Sequence, residues 1–120
     1  MFTILTSIEP SEINAFIKQE AELKIEVGNL SNEHVWCEVD ISLPSTLSLA
    51  PHEQLQKGRM RIGIIDPGQT NIKTCKIYSS SSTFPDIQEI EITAYIFNKK
   101  GVVEERLETK QQIKVIEKKN

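Results

Sequence analysis

Ala21-Glu22-Leu23-Lys24-Ile25-Glu26-Val27 alternates apolar and charged side chains without a break. Successive side chains of a β-strand point to opposite faces. This stretch therefore places Ala21, Leu23, Ile25 and Val27 on one side and Glu22, Lys24 and Glu26 on the other. The same rhythm continues through Val35, Cys37, Val39, Ile41 and Leu43, and again through Ile90, Ile92, Ala94 and Ile96. Each run reads as a strand with one face in a core and one in water. The parity is explicit: odd-numbered residues point inward on the second, third and last strands, even-numbered ones on the sixth.

Working outward from these runs, the spacing predicts seven strands at about 2–8, 19–29, 34–43, 58–65, 70–79, 87–97 and 102–116. Pro10 and Ser11 break the chain after the first, and 12–17 reads as a short turn or an edge switch. Gly28 to Glu33 is a polar bend. Pro44 to Lys57 is the longest connection, at about 14 residues beyond the usual hairpin range. Asp66-Pro67-Gly68-Gln69 is a turn in which Pro sets φ at the second position and Gly permits positive φ at the third. Ser79 to Asp86 is a Ser-rich loop. Asn98-Lys99-Lys100-Gly101 closes the last hairpin, with Gly101 where a left-handed residue is needed. Pairing Phe97 with Val102 sets Ile96 against Val103 and Ile92 against Leu107. Glu105 then points inward opposite Ala94 unless a bulge turns it out.

Seven short strands separated by turns predict an all-β domain over residues 1–120, an immunoglobulin-like sandwich of two antiparallel sheets. A closed barrel is the competing architecture. The expected sheets are the third, sixth and seventh strands in one, and the first, second, fourth and fifth in the other. With 120 residues, 38% hydrophobic and 26% charged, the chain needs neither metal nor disulfide to build a core.

The segments Val27-Gly28-Asn29-Leu30-Ser31-Asn32, Ile65-Asp66-Pro67-Gly68-Gln69-Thr70 and Ile90–Asn98 resemble archaeal and bacterial immunoglobulin-like modules of the CARDB type (cell-adhesion-related domains). In that family a V-N-G bend follows the second strand, and L-x-P-G-x-[ST] precedes the fifth. The likeness spans most of residues 18–116. It departs from the family at Asn29-Leu30, where Asn-Thr-Gly is usual. It implies a sandwich fold in extracellular, multi-domain proteins. The outline is also similar to adaptor appendage domains and major-sperm-protein-like domains.

A net charge of −3 gives no electrostatic reason to approach nucleic acid or anionic lipid. Lys57, Arg59 and Arg61 form a short basic cluster that reads as a solvated strand face. The N-terminus has no basic segment followed by a long apolar core, and no apolar run is long enough to span a bilayer. The expectation is a cytoplasmic protein, or an extracellular one if a leader was removed. Cys37 and Cys75 fall on core positions of different strands. A bond between them would close a loop that chain entropy values at roughly 4 kcal/mol, whereas a reducing compartment favours free thiols.

Catalytic chemistry has little to work with. His34 and His52 are the only histidines, and no Gly-x-Ser-x-Gly elbow, phosphate loop or His-Glu-x-x-His segment occurs. His34 and Cys37 are three residues apart on a strand, so they point to opposite faces and cannot chelate one ion. Glu38 with Asp40, and Glu104 with Glu105, lie on strands rather than in the dedicated loop that calcium requires. The expectation is a non-enzyme without metal or cofactor. Asn29-Leu30-Ser31 is a glycosylation sequon, relevant only to a secreted chain.

One feature stands above this background. Trp36, Tyr95 and Phe97 occupy the outward parity of the third and sixth strands, which are neighbours in an immunoglobulin-like sheet. With Val102 and Arg106 they make a candidate protein-contact face, built of side chains enriched at interface cores. The long 44–57 loop, or the N-terminal segment, could instead fold over it. The leading expectation is a non-catalytic module that binds a protein, a second copy of the chain included, through this face or through a strand edge. The N-terminal strand is the likelier edge, because charges blunt the last one. The alternatives are a carbohydrate- or cell-surface-associated accessory module, with Trp36, Tyr95 and His34 as a sugar platform, and an appendage-like domain capturing short peptides.

Overall fold

Seven strands form where the alternation places them and an eighth, β2, forms within the 12–17 segment: β1 (Phe2–Glu9), β2 (Glu12–Asn14), β3 (Glu20–Asn29), β4 (Val35–Ser42), β5 (Lys57–Ile65), β6 (Thr70–Tyr78), β7 (Asp86–Phe97) and β8 (Val103–Ile116). The computed structural model describes residues 1–117, and no helix occurs among them. The expected domain runs to residue 120, so 118–120 lie outside the described part. The strands make two sheets, β1-β3-β6 and β2-β8-β7-β4-β5. Their apolar faces meet in one core containing Leu23, Ile25 and Val27 from the smaller sheet and Val39, Ile92, Ile96 and Ile113 from the larger. This is an immunoglobulin-like β-sandwich, and the inward parity holds on β3, β4, β7 and β8.

The 12–17 segment is an edge switch. After Glu9-Pro10 the chain leaves the smaller sheet, and β2 runs parallel to β8 with Ile13 opposite Val115.

Two expectations are corrected. The strand at 57–65 belongs to the larger sheet, antiparallel to β4, and not to the sheet of the first, second and fifth predicted strands. Cross-strand charge favours this placement. Glu38 and Asp40 on the outer side of β4 lie opposite Arg61 and Arg59, and opposite charges directly across a ladder stabilise that pairing. The long loop is thus a wide hairpin, pinched by Leu43 N–H to Gln56 O (2.8 Å) and Leu49 N–H to Leu55 O (2.8 Å). The second correction concerns register. Phe97 pairs with Val103, Ile96 with Glu105 and Ile92 with Thr109, because the turn takes one residue more than expected (98–102) and Glu104 then bulges out of β8. Together they shift the ladder beyond the bulge by two residues, which preserves parity. Glu105 consequently keeps its inward position, half-buried opposite Ile96 rather than Ala94.

The turns behave as their residues dictate. Gly68 (φ 76°) and Gly101 (φ 76°) are left-handed, and Gln69 N–H closes the 66–69 turn on Asp66 O at 3.0 Å. Asn29 ties one end of the sandwich together. Fully buried, it donates from Nδ2 to Glu33 O (2.8 Å) and Ile65 O (2.9 Å), while Oδ1 accepts from Ser31 N–H (2.9 Å) and Ser31 Oγ (2.6 Å). Its backbone N–H and C=O bond Gln69 O and Gly68 N. The sequon is therefore closed in the folded chain, because its amide nitrogen is committed to two carbonyls.

Cys37 and Cys75 are free thiols on opposite sheets. Burial, with the Glu38 charge behind it, pushes the Cys37 thiol up to about 12; burial alone pushes Cys75 up to about 11.

Asn29→Ala removes the donors to Glu33 O and Ile65 O and the acceptor of Ser31 N–H and Oγ, and should cost about 2–4 kcal/mol in urea denaturation. The thiols give a pH signature. Their folded values exceed the ordinary 9.0, so ionisation favours the unfolded chain. The stability due to the neutral thiols is fully present below about pH 9 and falls as pH rises toward 11 and 12, by at most about 1.4 kcal/mol per pH unit for each thiol. Urea midpoints measured across that window check the slope, and a disulfide reagent at neutral pH should modify both thiols far more slowly in the native than in the unfolded protein.

Candidate functional site

The outer face of the larger sheet is laid out in rows, because each β4 residue has partners on both β5 and β7. The first row is Ile64, Trp36, Phe97 and Val103, all apolar, from four adjacent strands. The second is Arg61, Glu38, Tyr95 and Arg106; the third is Arg59, Asp40, Thr93 and Glu108. An apolar band at one end of the sheet thus gives way within one residue pair to alternating charge.

The structure brings all five expected face residues to this end, in a modified arrangement. Trp36, Tyr95 and Phe97 share the outer face, half-buried by their neighbours. Arg106 lies across from Tyr95, its guanidinium 5.9 Å from the ring centroid. Val102 is 57% exposed in the turn beside the row, and Val103, 49% exposed, takes the pairing with Phe97 expected of it. Ile64, 59% exposed against Trp36, is a member that the sequence reading missed. It was hidden because β5 carries an extra residue at Ile62-Gly63, where Gly63 (φ 93°) turns the strand and changes its parity. The adjacent pair Ile64-Ile65, next to a glycine, is the signal that could have revealed it.

A polar network holds the aromatic row in place. Trp36 Nε1 donates to Glu38 Oε2 at 2.8 Å. Arg59 forks onto Asp40, Nε to Oδ1 at 2.6 Å and Nη2 to Oδ2 at 3.0 Å, and its Nη1 lies 3.6 Å from Glu38 Oε1. The same guanidinium stands 5.2 Å from the Tyr95 centroid. Its hydrogen bond, with the adjacent positive charge, holds the Asp40 carboxyl below the usual range, and the Asp40 carboxylate raises Arg59. Within the basic cluster Arg59 is therefore engaged by acids of the neighbouring strand, Asp40 and Glu38.

Nothing among the described residues folds over the row. The 44–57 loop caps the opposite end, where Leu47 enters the core and Ser48 bridges Tyr78 of β6. The N-terminal residues are held on the smaller sheet. A shallow recess of about 190 Å³ opens beside Trp36, lined by His34, Ile64, Asn98 and Lys99. His52 lies in the loop at the far end, where its Nδ1 is 3.4 Å from Lys18 Nζ. Among the described residues no three His, Cys, Asp or Glu side chains gather as metal ligands would.

No protein-family profile and no curated protein sequence matches the chain. Solved structures do. The major pilin subunit of Bacillus cereus superposes with a TM-score of 0.65 at 12% identity over 98% of this chain and 40% of that one. A FixG-related protein from Vibrio parahaemolyticus gives 0.54 at 11% identity over 95% of both chains. The sporulation control protein Spo0M of Bacillus subtilis gives 0.51 at 13% identity over 95% of this chain and 49% of that one. The chain thus spans less than half of the pilin and of Spo0M. At such identities the likeness is one of fold, an immunoglobulin-like sandwich. No helix among the described residues is long and apolar enough to cross a membrane.

The Arg59–Asp40 fork is half-exposed, so Arg59→Met should lower stability only slightly. The carboxyl titration is the sharper readout. Asp40 should titrate below the ordinary Asp range in the wild type and return to it in Arg59→Met, as followed by side-chain carboxyl NMR. The ion pair's contribution is present above the unfolded Asp pKa and is lost as pH falls through the depressed folded value.

Proposed function

We propose that this domain is a non-catalytic protein-interaction module whose contact surface is the apolar row Ile64–Trp36–Phe97–Val103, with Tyr95, Val102 and Arg106 at its margin. The observation that carries this reading is the row itself: four apolar side chains on four adjacent strands, the outer two (Ile64 and Val103) about half open to solvent and the inner two (Trp36 and Phe97) half-buried between them, with no covering segment among the described residues. Exposed contiguous apolar surface rimmed by charge is the usual composition of an interaction site. Trp and Tyr anchors beside arginine are the residues that dominate binding energy in such sites. The partner is a protein surface with an apolar centre, able to accept hydrogen bonds from Arg61 and Arg106 at the rim.

The absence of catalysis is part of the proposal. The two histidines lie at opposite ends of the sandwich, too far apart to share a reaction centre. A sugar platform fits the face less well, because a guanidinium stacks on Tyr95 where a sugar ring would need a bare aromatic face. The resemblance to CARDB-type modules and the structural likeness to a pilin point in the same direction, toward sandwiches that serve as building blocks.

Affinity purification from the native cell, followed by reconstitution with the purified partner, tests the reading. Trp36→Ala and Phe97→Ala should each weaken binding by at least about tenfold, with far-UV circular dichroism unchanged. Equal capture of the same proteins by wild type and both variants would refute the assignment.

A further inference from the structure

The smaller sheet has three strands and the larger has five, so part of the larger sheet's inner face is left without a full cover. The uncovered part lies on β8. On β4 and β7 the inner side chains Val39, Ile92, Ala94 and Ile96 are almost fully buried, whereas Glu105, Leu107, Thr109 and Gln111 of β8 are only half-buried. The slot beside them is bounded by the free edge of β1, which among the described residues pairs with β3 alone. The two strands touch lower down, where Thr6 Oγ1 bonds Gln111 Oε1 at 2.8 Å.

The other sheet edges are blunted. β2 is three residues long. β5 carries Lys57, Arg59 and Arg61, and the Asn71 carboxamide donates to its free carbonyls at Ile64 (2.8 Å) and Ile62 (3.4 Å). β6 carries Lys73 and Lys76 and is bridged at Tyr78 by Ser48. The open stretch of β8 is charged and bulged at Glu104. These are the devices by which sheets avoid edge pairing. β1 has none of them: Phe2 to Ile8 contains no charge, proline or glycine. Because Met1 O accepts from Leu30 N–H at 2.7 Å, alternate residues from Met1 onward bond to β3. The N–H and C=O groups of Phe2, Ile4, Thr6 and Ile8 therefore face the slot.

A charge specifies the occupant further. Glu105 Oε2 is buried and has no hydrogen-bond partner among the described residues. Counting back in step from the Thr6–Gln111 contact, Leu107 is level with Phe2, and Glu105 lies one pair beyond it.

We propose that the slot between β1 and β8 receives one extended segment of another protein as an added antiparallel strand. It bonds the free groups of β1, lays apolar side chains on Leu107, and presents a lysine or arginine near its C-terminal end to Glu105. A single strand fits where a folded domain does not. A second copy docked edge to edge on β1 would bring its own projecting β8 into this one, since both overhang on the same flank. This binding mode is separate from the outer face around Trp36.

The probe is a fluorescein-labelled peptide of about nine residues, threonine alternating with valine, with one valine near the C-terminus replaced by lysine. Fluorescence anisotropy should show saturable binding to the full chain. Amide exchange of Phe2, Ile4, Thr6 and Ile8, fast in the free protein, should slow on binding. Alternate N-methylation of the peptide should abolish binding. Ile4→Pro, which deletes an amide that faces the slot and leaves the β3 ladder intact, should abolish it too, with the fold checked by circular dichroism. Glu105→Lys should lose the lysine peptide by about tenfold and gain a peptide carrying glutamate at that position. Trp36→Ala should bind the peptide unchanged. The proposal is overturned if the peptide fails to bind, or if the four amides are already protected in the free protein. It is also overturned if Trp36→Ala alone removes binding, which would place the peptide on the outer face, or if a dimer sensitive to Ile4→Pro forms without peptide binding, which would assign the edge to a second copy.

Discussion

The alternation of apolar and polar side chains constrains every other feature of this molecule. Each long strand has one face that cannot remain in water, and two such faces closed against each other satisfy both at once. Burial of Leu23, Ile25 and Val27 against Val39, Ile92 and Ile96 fixes the strands' orientation. Once that orientation is set, the outer faces follow by parity with no freedom left. Trp36 is on the surface because Val35 and Cys37 are in the core. The candidate contact face is thus a by-product of the packing that folds the chain, and the polar network beneath it adapts to a position already chosen.

How far this could be read from the chain depends on how local each determinant is. The turn at Asp66–Gln69 and the left-handed Gly101 were legible because two or three residues decide them. So was the face of Trp36, Tyr95 and Phe97, because parity is a property of single strands. The sheet to which β5 belongs was not, because it rests on Arg59 and Arg61 finding Asp40 and Glu38 about twenty residues away in sequence. The complementary charges were visible, but nothing local joins them. Register along the last hairpin was hidden for another reason. One extra turn residue and one bulged residue, Glu104, together moved the partners of Ile96 and Ile92 by two places while leaving the inward pattern intact, so parity could not report the slip. Ile64 was lost to a similar event at Gly63.

Asn29 shows a polar side chain acting where apolar packing stops. The end of the sandwich must join β3, the 30–34 bend, the end of β5 and the 66–69 turn, and each brings backbone groups that water cannot reach. From its place on β3, one carboxamide bonds the 30–34 bend and the end of β5 with two donors and an acceptor, and its own backbone bonds the 66–69 turn. A buried amide is tolerated when all its capacity is used. The same chemistry that suits Asn29 to this position withdraws it from modification. Its place in a sequon is therefore explained by structure alone.

The mismatch of three strands against five leaves the two flanks unequal. On the β5–β6 flank the sheets approach each other, and the Asn71 side chain fills the gap by bonding the carbonyls of β5. On the β1–β8 flank only the lower half is closed, by the crossing of β1 into β2 and the Thr6–Gln111 bond. Above that point two edges face outward with different character, β8 charged and bulged, β1 neutral and flat. An aggregation-prone edge is ordinarily removed by a single charged substitution, and β1 alternates in a way that would accept one at the exposed position Leu5, 65% open to solvent. Its neutrality, together with a carboxylate oxygen left without a partner at Glu105, gives this flank the chemistry of an unfilled strand position in an otherwise protected sandwich.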